Sequence, residues 1–245
     1  MGRFERFNEI WVYLAASPLL GLTLTLAAYL VALYLYRRCR YHPAANPVLI
    51  AIVIVVAILT LTRTSYKTYF EGAQFVHFML GPATVALALP LYRQWRNFRR
   101  AALPLLLGLA AGSLTAIVSA VGLAWSLGAS HQIMVSMAPK SATTPIAMAI
   151  AERFGGLPSL TAVMVICTGI LGAVSAKFIL NVLRIDNHAV RGFALGVASH
   201  GIGTARALQV SAEMGAFAGL GMGLNGVFTA LVVPALLPLF LKYAG

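Results

Sequence analysis

The sequence predicts an all-α, polytopic membrane protein with about eight membrane-embedded segments, two of them broken or re-entrant. Three observations predict it. Of the 245 residues, 60% are hydrophobic and 10% charged, and the mean hydropathy is +0.86; a water-facing surface needs about 25% charged residues. Apolar runs recur at the length that crosses a bilayer, roughly 20 residues. The 18 Lys and Arg, against 6 Asp and Glu, sit mostly in short clusters between those runs. A soluble globular fold is therefore excluded, and the formal charge of +12 reads as topology signals and lipid headgroup contacts, not as a nucleic-acid surface. No polar stretch is long enough for a separate module, so one integral membrane domain is expected over residues 1–245. It would lie in a cell membrane as a multi-pass protein.

The first apolar run, residues 10–36, is longer than a signal-peptide core and is expected to remain as a span. Trp11, Tyr13, Tyr34 and Tyr36 stand at its two ends, where amphipathic rings meet headgroups, and Arg37, Arg38 and Arg40 stop it. Further clear runs are 47–61, 75–92, 101–127, 157–183 and 216–241. Two stretches, 132–150 and 192–208, are apolar on average but carry Pro139, Lys140, Pro145, His200, Arg206 and several glycines. Broken backbone at membrane depth must be shielded by protein or line a cavity, so two such segments point to a pathway.

Basic residues orient the chain. Arg37/Arg38/Arg40 and Arg93/Arg96/Arg99/Arg100 are separated by two spans and fall together on the cytoplasmic side, leaving Arg63 and Lys67 outside. Lys177, Arg184 and Arg191 join them only if 132–150 dips in and returns. A same-order internal repeat is also visible: Ala45–Ile52 resembles Thr143–Ile150, and Gly81–Leu87 resembles Gly201–Ala207. Related halves with interrupted helices are a pointer to a secondary transporter, while short apolar matches also arise by chance.

The first candidate for chemistry is Met137–Pro145. Proline favours the first helical turn and Ser or Thr before it can cap free N–H groups, so a half-helix is expected from Pro145, facing Lys140, Ser141, Thr143 and Thr144. A helix N-terminus, free amides and an ammonium suit an anion such as a carboxylate; a lysine snorkelling to the interface is the alternative. The second is Ala198–Leu208, where Gly201 and Gly203 permit unwound backbone and a helix starting near Thr204 would carry Arg206 in its first turn. That arginine suits a bound anion, or pairs with Glu213 or Glu152. His200 either takes up a proton or packs through a hydrogen bond. Glu152 and Glu213 are candidate coupling carboxylates or loop-end ion-pair partners. Asn225, in Gly223-Leu224-Asn225-Gly226, touches substrate or bonds across helices. Gly108/Gly112, Gly192/Gly196, Gly215/Gly219 and Gly219/Gly223 have the four-residue spacing of close helix contacts.

Enzymatic motifs are lacking. Gly128-Ala129-Ser130-His131 has no nucleophile-elbow context, and no metalloprotease or paired-carboxylate pattern is found. Cys39 and Cys167 match no metal or redox spacing. An enzyme, a cofactor and a metal site are not expected.

The stretches Pro139-Lys140-Ser141-Ala142-Thr143-Thr144-Pro145-Ile146-Ala147, Thr161-Ala162-Val163 with Thr168–Ala173, Arg191–Gly196 running into Ala198–Ala207, and Gly223–Gly226 resemble the LrgB/CidB family of bacterial membrane proteins, which includes the YohK proteins and the plant plastidial glycolate/glycerate transporters. The resemblance runs from about Pro47 onward. An acidic stretch frequent in the family after Thr-Ala-Arg-Ala-Leu is reduced here to Glu213. Two functions are implied: antiholin-like modulation of murein hydrolase export and autolysis, usually with a small LrgA/CidA-like membrane partner, or transport of small monocarboxylates such as glycolate, glycerate or pyruvate. Cationic groups at two broken helices favour transport, by alternating access around a mid-membrane site. The expected partners are a small carboxylate anion, the lipid bilayer and, as a homo-oligomer, further copies of the chain; nucleic acid is not among them.

Overall fold

The computed structural model describes residues 18–42, 45–79, 82, 85, 86, 88–93 and 95–244. Trp11 and Tyr13, expected at one headgroup level, lie outside them, as do Gly81, Ala83, Thr84 and Leu87 of the second repeat match. Among the described residues every regular element is helical, and the chain divides into two compact units, residues 1–86 and 87–245.

The first unit holds α1 (Pro18–Arg38), α2 (Pro47–Leu61) and α3 (Tyr66–Phe78). Arg37 and Arg38 close α1 where its dipole favours cations. Asn46 starts α2, its Oδ1 accepting from the N–H groups of Val48 at 2.9 Å and Leu49 at 3.2 Å, with Pro47 in the first turn. Gly21, Ala28 and Ala32 give α1 a stripe of small residues. A Cβ at Gly21 would meet the carbonyl oxygen of Tyr69 on α3, and Thr25 Oγ1 lies 2.8 Å from the Tyr69 hydroxyl.

The second unit holds α4 (Ala88–Arg93), α5 (Trp95–Arg100), α6 (Ala102–Ser126), α7 (His131–Met137), α8 (Thr144–Arg153), α9 (Pro158–Val182), α10 (His188–Val210) and α11 (Ala212–Ala244). Among the described residues four helices are long and apolar enough to cross a membrane: Leu19–Arg38 of α1, α6, α9 and Ala212–Leu237 of α11; α2 is a shorter apolar helix. The protein is thus a multi-pass membrane protein. Of the expected run 75–92, α3 holds the part up to Phe78 and α4 the part from Ala88, and residues 80, 81, 83, 84 and 87 lie outside the described residues.

The element α10 is a hairpin, which corrects the expectation of a single interrupted segment restarting near Thr204. His188 Nδ1 and Ser211 Oγ are 2.9 Å apart, whereas a straight helix would separate residues 23 positions apart by about 34 Å. The reversal falls at Ser199 (φ −128°, ψ 15°) and His200 (φ 40°, ψ −132°), ahead of both glycines. Gly203 serves close packing instead of unwinding: a Cβ there would stand 2.6 Å from the Leu195 carbonyl oxygen on the opposing half. The first half also lies against α11, because Cβ atoms at Gly192 and Gly196 would meet the carbonyl oxygens of Met214 and Ala218. Both partners advance four residues in the same direction, so that half and α11 run parallel, and this glycine pair does mark a close helix contact.

Helices α7 and α8 with the turn 138–143 form a second hairpin. Lys140 N–H donates to Met137 O at 3.2 Å and Ala142 N–H to Pro139 O at 2.9 Å, closing the turn. Ser136 fastens α7 to the start of α9: its hydroxyl accepts from Leu157 N–H at 2.8 Å, and its carbonyl accepts from Thr161 Oγ1 at 3.1 Å. The segment that leaves the end of α6 therefore returns to the same end before α9 begins.

Two core clusters fix how these pieces run. Ile117, Val121 and Ala124 of α6 pack with Met134, Val135, Ala138 and Ile150 of the second hairpin and with Val233 and Leu237 of α11. Toward the other end, Leu105 and Leu109 of α6 pack with Phe193 and Val197 of α10 and Phe217 of α11. Helices α6 and α11 are parallel, and the two hairpins enter from opposite ends of the unit.

Candidate functional site: a cavity between two hairpin turns

Both turns come to α9 near its middle. The Val165 side chain packs against Ala142 and Ala147 of one hairpin, while the Val165 carbonyl accepts a 2.9 Å hydrogen bond from His200 Nε2 of the other. Two glycines make the second approach possible. A Cβ at Gly169 would stand 2.7 Å from His200 Cε1, and one at Gly172 would fall on the Ser199 hydroxyl.

Beside this junction lies a cavity of about 720 Å³. Pro104, Leu105, Gly108, Gly112 and Ala116 line it from α6, Thr168, Leu171, Gly172 and Ser175 from α9, and Val190, Phe193, Ala194, Val197 and Ala198 from α10. Lys140, Ser141 and Ser199 complete it from the two turns. In α6 the lining runs from near the start to about the midpoint and in α9 it covers Thr168–Ser175 around the middle, so the polar turns stand at the inner end of a mostly apolar recess. One ammonium and a few hydroxyls in an apolar wall suit a small anion with a short carbon skeleton.

Lys140 is half-buried and its Nζ donates to Ser141 Oγ at 3.4 Å. Ser141 is held from behind: its carbonyl accepts a 2.9 Å bond from Asn225 Nδ2, and Asn225 Oδ1 accepts from the Ser113 hydroxyl. Asn225 is 1% exposed and bonds across helices, joining α6, α11 and the turn. Ser199 is fully buried, and its hydroxyl has no hydrogen-bond partner. Leaving such a group unpaired costs about 1–3 kcal/mol.

The other expected residues fall around this core. Thr143 occupies the N-cap of α8 and Thr144 its first residue, as the sequence predicted for this half-helix, but the Thr143 side chain makes no capping bond. Both are half-buried and neither lines the cavity. His200 is buried on Val165, and Thr204 is buried with its hydroxyl donating to the His200 carbonyl at 2.9 Å. Around Gly201 there is room, Met222 Sδ standing 3.9 Å from a Cβ built there. Arg206 is half-buried, donates from Nη1 to Gln209 Oε1 at 3.3 Å, and is not among the cavity residues; the break at residues 199–200 puts it beyond the first turn of the returning half. Glu152 is exposed in the last turn of α8, and Glu213 is half-buried in the first turn of α11. Among the described residues no group of three His, Cys, Asp or Glu could hold a metal ion.

Residues that the sequence did not single out for the site are Ser113, Ser136, Gly169, Gly172 and Ser199. The last three share one signal, glycines three apart on a helix opposite a serine at a chain reversal, and it becomes readable only once the reversal is located. Gly108 and Gly112 form no close helix contact: nothing lies within 4 Å of a Cβ at Gly108, and the nearest atom to one at Gly112 is Val197 Cγ1 at 3.7 Å. Their missing side chains widen the cavity.

The model of the LrgB-like family matches residues 25–239 and so runs across both units. Among curated proteins, YxaC of Bacillus subtilis is 36% identical over 226 residues, covering 92% of this chain and 98% of that protein. YwbG of the same organism is 36% identical over 219 residues, 89% of this chain and 97% of that one. A Bacillus mycoides protein named antiholin-like protein LrgB is 29% identical over 222 residues, covering 91% and 96%. No solved structure matches the chain significantly.

Proposed function

The chain belongs to the LrgB-like family, and from that premise we propose that it transports small organic monocarboxylates such as glycolate, glycerate or pyruvate across the bacterial inner membrane. The observation that carries the reading is the convergence of Lys140, Ser141 and Ser199, from two oppositely directed hairpins, on one cavity. Interrupted helices meeting at mid-depth provide backbone groups and a fixed charge for a carboxylate where lipid provides none. Eight membrane-embedded segments in one domain, two of them re-entrant, belong to this reading, as does alternating access by movement of the hairpins against the long helices. Glu152 and Glu213 are its candidate proton-coupling groups. It is a carrier with no enzymatic step and no cofactor, assembled as a homo-oligomer, with a small LrgA/CidA-like membrane protein as a possible companion.

The printed name of the Bacillus mycoides relative favours a second reading, antiholin-like modulation of murein hydrolase export and autolysis. A passive lytic pore has no use for a buried cationic turn. Uptake of labelled glycolate, glycerate and pyruvate into liposomes holding the purified protein separates the two. Saturable uptake by the wild type that is lost in Lys140→Ala supports the carrier, and Arg206→Ala tests whether the second cation shares the site. Leakage of a large uncharged dye without saturable uptake would support the pore.

A further inference from the structure

Many helical hydroxyls in this protein bond back to their own backbone; Ser119 and Ser126 donate to the carbonyl three residues earlier, at 3.4 and 2.9 Å, and others reach one residue further. Thr23, Thr25, Thr60, Thr62, Ser136, Thr161, Ser175 and Thr204 each donate to the carbonyl four residues earlier on their own helix, at 2.6–3.1 Å. This is the default for a Ser or Thr with no better partner. Ser199 makes no such bond although the Leu195 carbonyl stands four residues before it. Its backbone (φ −128°, ψ 15°) has left the helix, and the oxygen is turned toward α9 at Gly172, where any side chain would strike it. The hydroxyl is thereby fully buried, unpartnered and in the wall of the cavity that also holds the Lys140 ammonium.

Resting on the carboxylate reading above, we propose that Ser199 contacts the bound anion directly, its hydroxyl donating to a carboxylate oxygen whose charge faces Lys140. The empty site carries the unpaired hydroxyl as a cost and binding removes it, so the anion gains a charge-assisted bond and settles a buried donor at once. Gly172 then has a functional reason: it keeps the hydroxyl at the cavity wall, where an added methyl would displace it. Lys140 supplies charge and Ser199 supplies direction.

The test is equilibrium binding of radiolabelled glycolate to the purified full-length protein in lipid nanodiscs, read beside thermal unfolding of the ligand-free protein. Ser199→Ala is expected to weaken binding about tenfold or more, while ligand-free Tm stays level or rises because an unsatisfied donor has gone. Gly172→Ala should weaken binding to a similar degree from the other side of the contact. A Ser199→Ala variant that binds glycolate as the wild type does, with a raised Tm, overturns the proposal and leaves the carrier reading standing. A folded wild-type protein with no saturable binding of glycolate, glycerate or pyruvate overturns both.

Discussion

The Nε2 of His200 donates to the carbonyl oxygen of Val165 across 2.9 Å, and so ties the reversal of one hairpin to the middle of a long helix 35 residues earlier in the chain. A carbonyl can only accept, so the neutral ring must carry its proton on Nε2. His200 also holds φ at +40°, a region unfavourable to residues with a Cβ. His200→Ala should therefore cost about 2–3 kcal/mol, from an unpaired carbonyl and a cavity beside Gly169, read as a Tm lower by several degrees in detergent. Unchanged Tm would mean that the bond does not hold the hairpin.

The fold-back of α10 has a covalent check. In a background with Cys39 and Cys167 replaced by serine, His188→Cys combined with Ser211→Cys should oxidise to an intrachain disulfide, because these side chains touch at 2.9 Å. A disulfide needs Cα atoms within about 7 Å, and a straight α10 would hold them about 34 Å apart. Mass spectrometry of a peptic digest reads the result, and free thiols under oxidation would argue for the rod.

Asn225 should behave as one member of a coupled group. Asn225→Ala leaves both the Ser113 hydroxyl and the Ser141 carbonyl without their partner, a loss of about 1–3 kcal/mol for buried interhelical bonds. Ser113→Ala strands Asn225 Oδ1 in turn. The double variant should be less destabilised than the sum of the two singles, by about 1 kcal/mol. Strict additivity in unfolding measurements would show that the three groups do not act together.

Glycines with the same spacing should respond in opposite ways. Gly196→Ala places a methyl on the Ala218 carbonyl and should destabilise by about 1–3 kcal/mol through overpacking. Gly108→Ala meets nothing within 4 Å and should be neutral or stabilising, since alanine is the better helix former by about 1 kcal/mol. Gly108→Leu fills the cavity and should reduce carboxylate uptake with Tm preserved. Equal Tm losses at positions 108 and 196 would remove the distinction.

Legibility in the sequence followed the range of the forces involved. The start of α8 at Thr144-Pro145 and of α2 at Asn46-Pro47 was readable because capping and proline act within four residues. Charge parity favoured a return of 132–150, and the bonds of Ser136 to Leu157 and Thr161 bring that segment back beside the start of α9. The reversal at Ser199–His200 was not readable: two nearby glycines offered themselves as the flexible point, yet the turn fell on a serine and a histidine held by Val165, Gly169 and Gly172 of another helix. Arg206 was drawn toward the site by its charge, while the cavity took Ser199 instead.

Composition and periodic apolar runs by themselves determined that this is a helical membrane protein, since a chain with one charged residue in ten cannot face water and must satisfy its backbone within helices. The stretch Met137–Pro145 offered Lys140 and its neighbours as a candidate anion site. Which segments fold back, which glycines pack and which open a cavity, and which hydroxyl is left without a partner depended on contacts between residues far apart in the chain, from 21 positions for Ser136 and Leu157 to 112 for Ser113 and Asn225. Such contacts are fixed by the surface that arrives from elsewhere in the chain, and only the tertiary structure brings that surface into place.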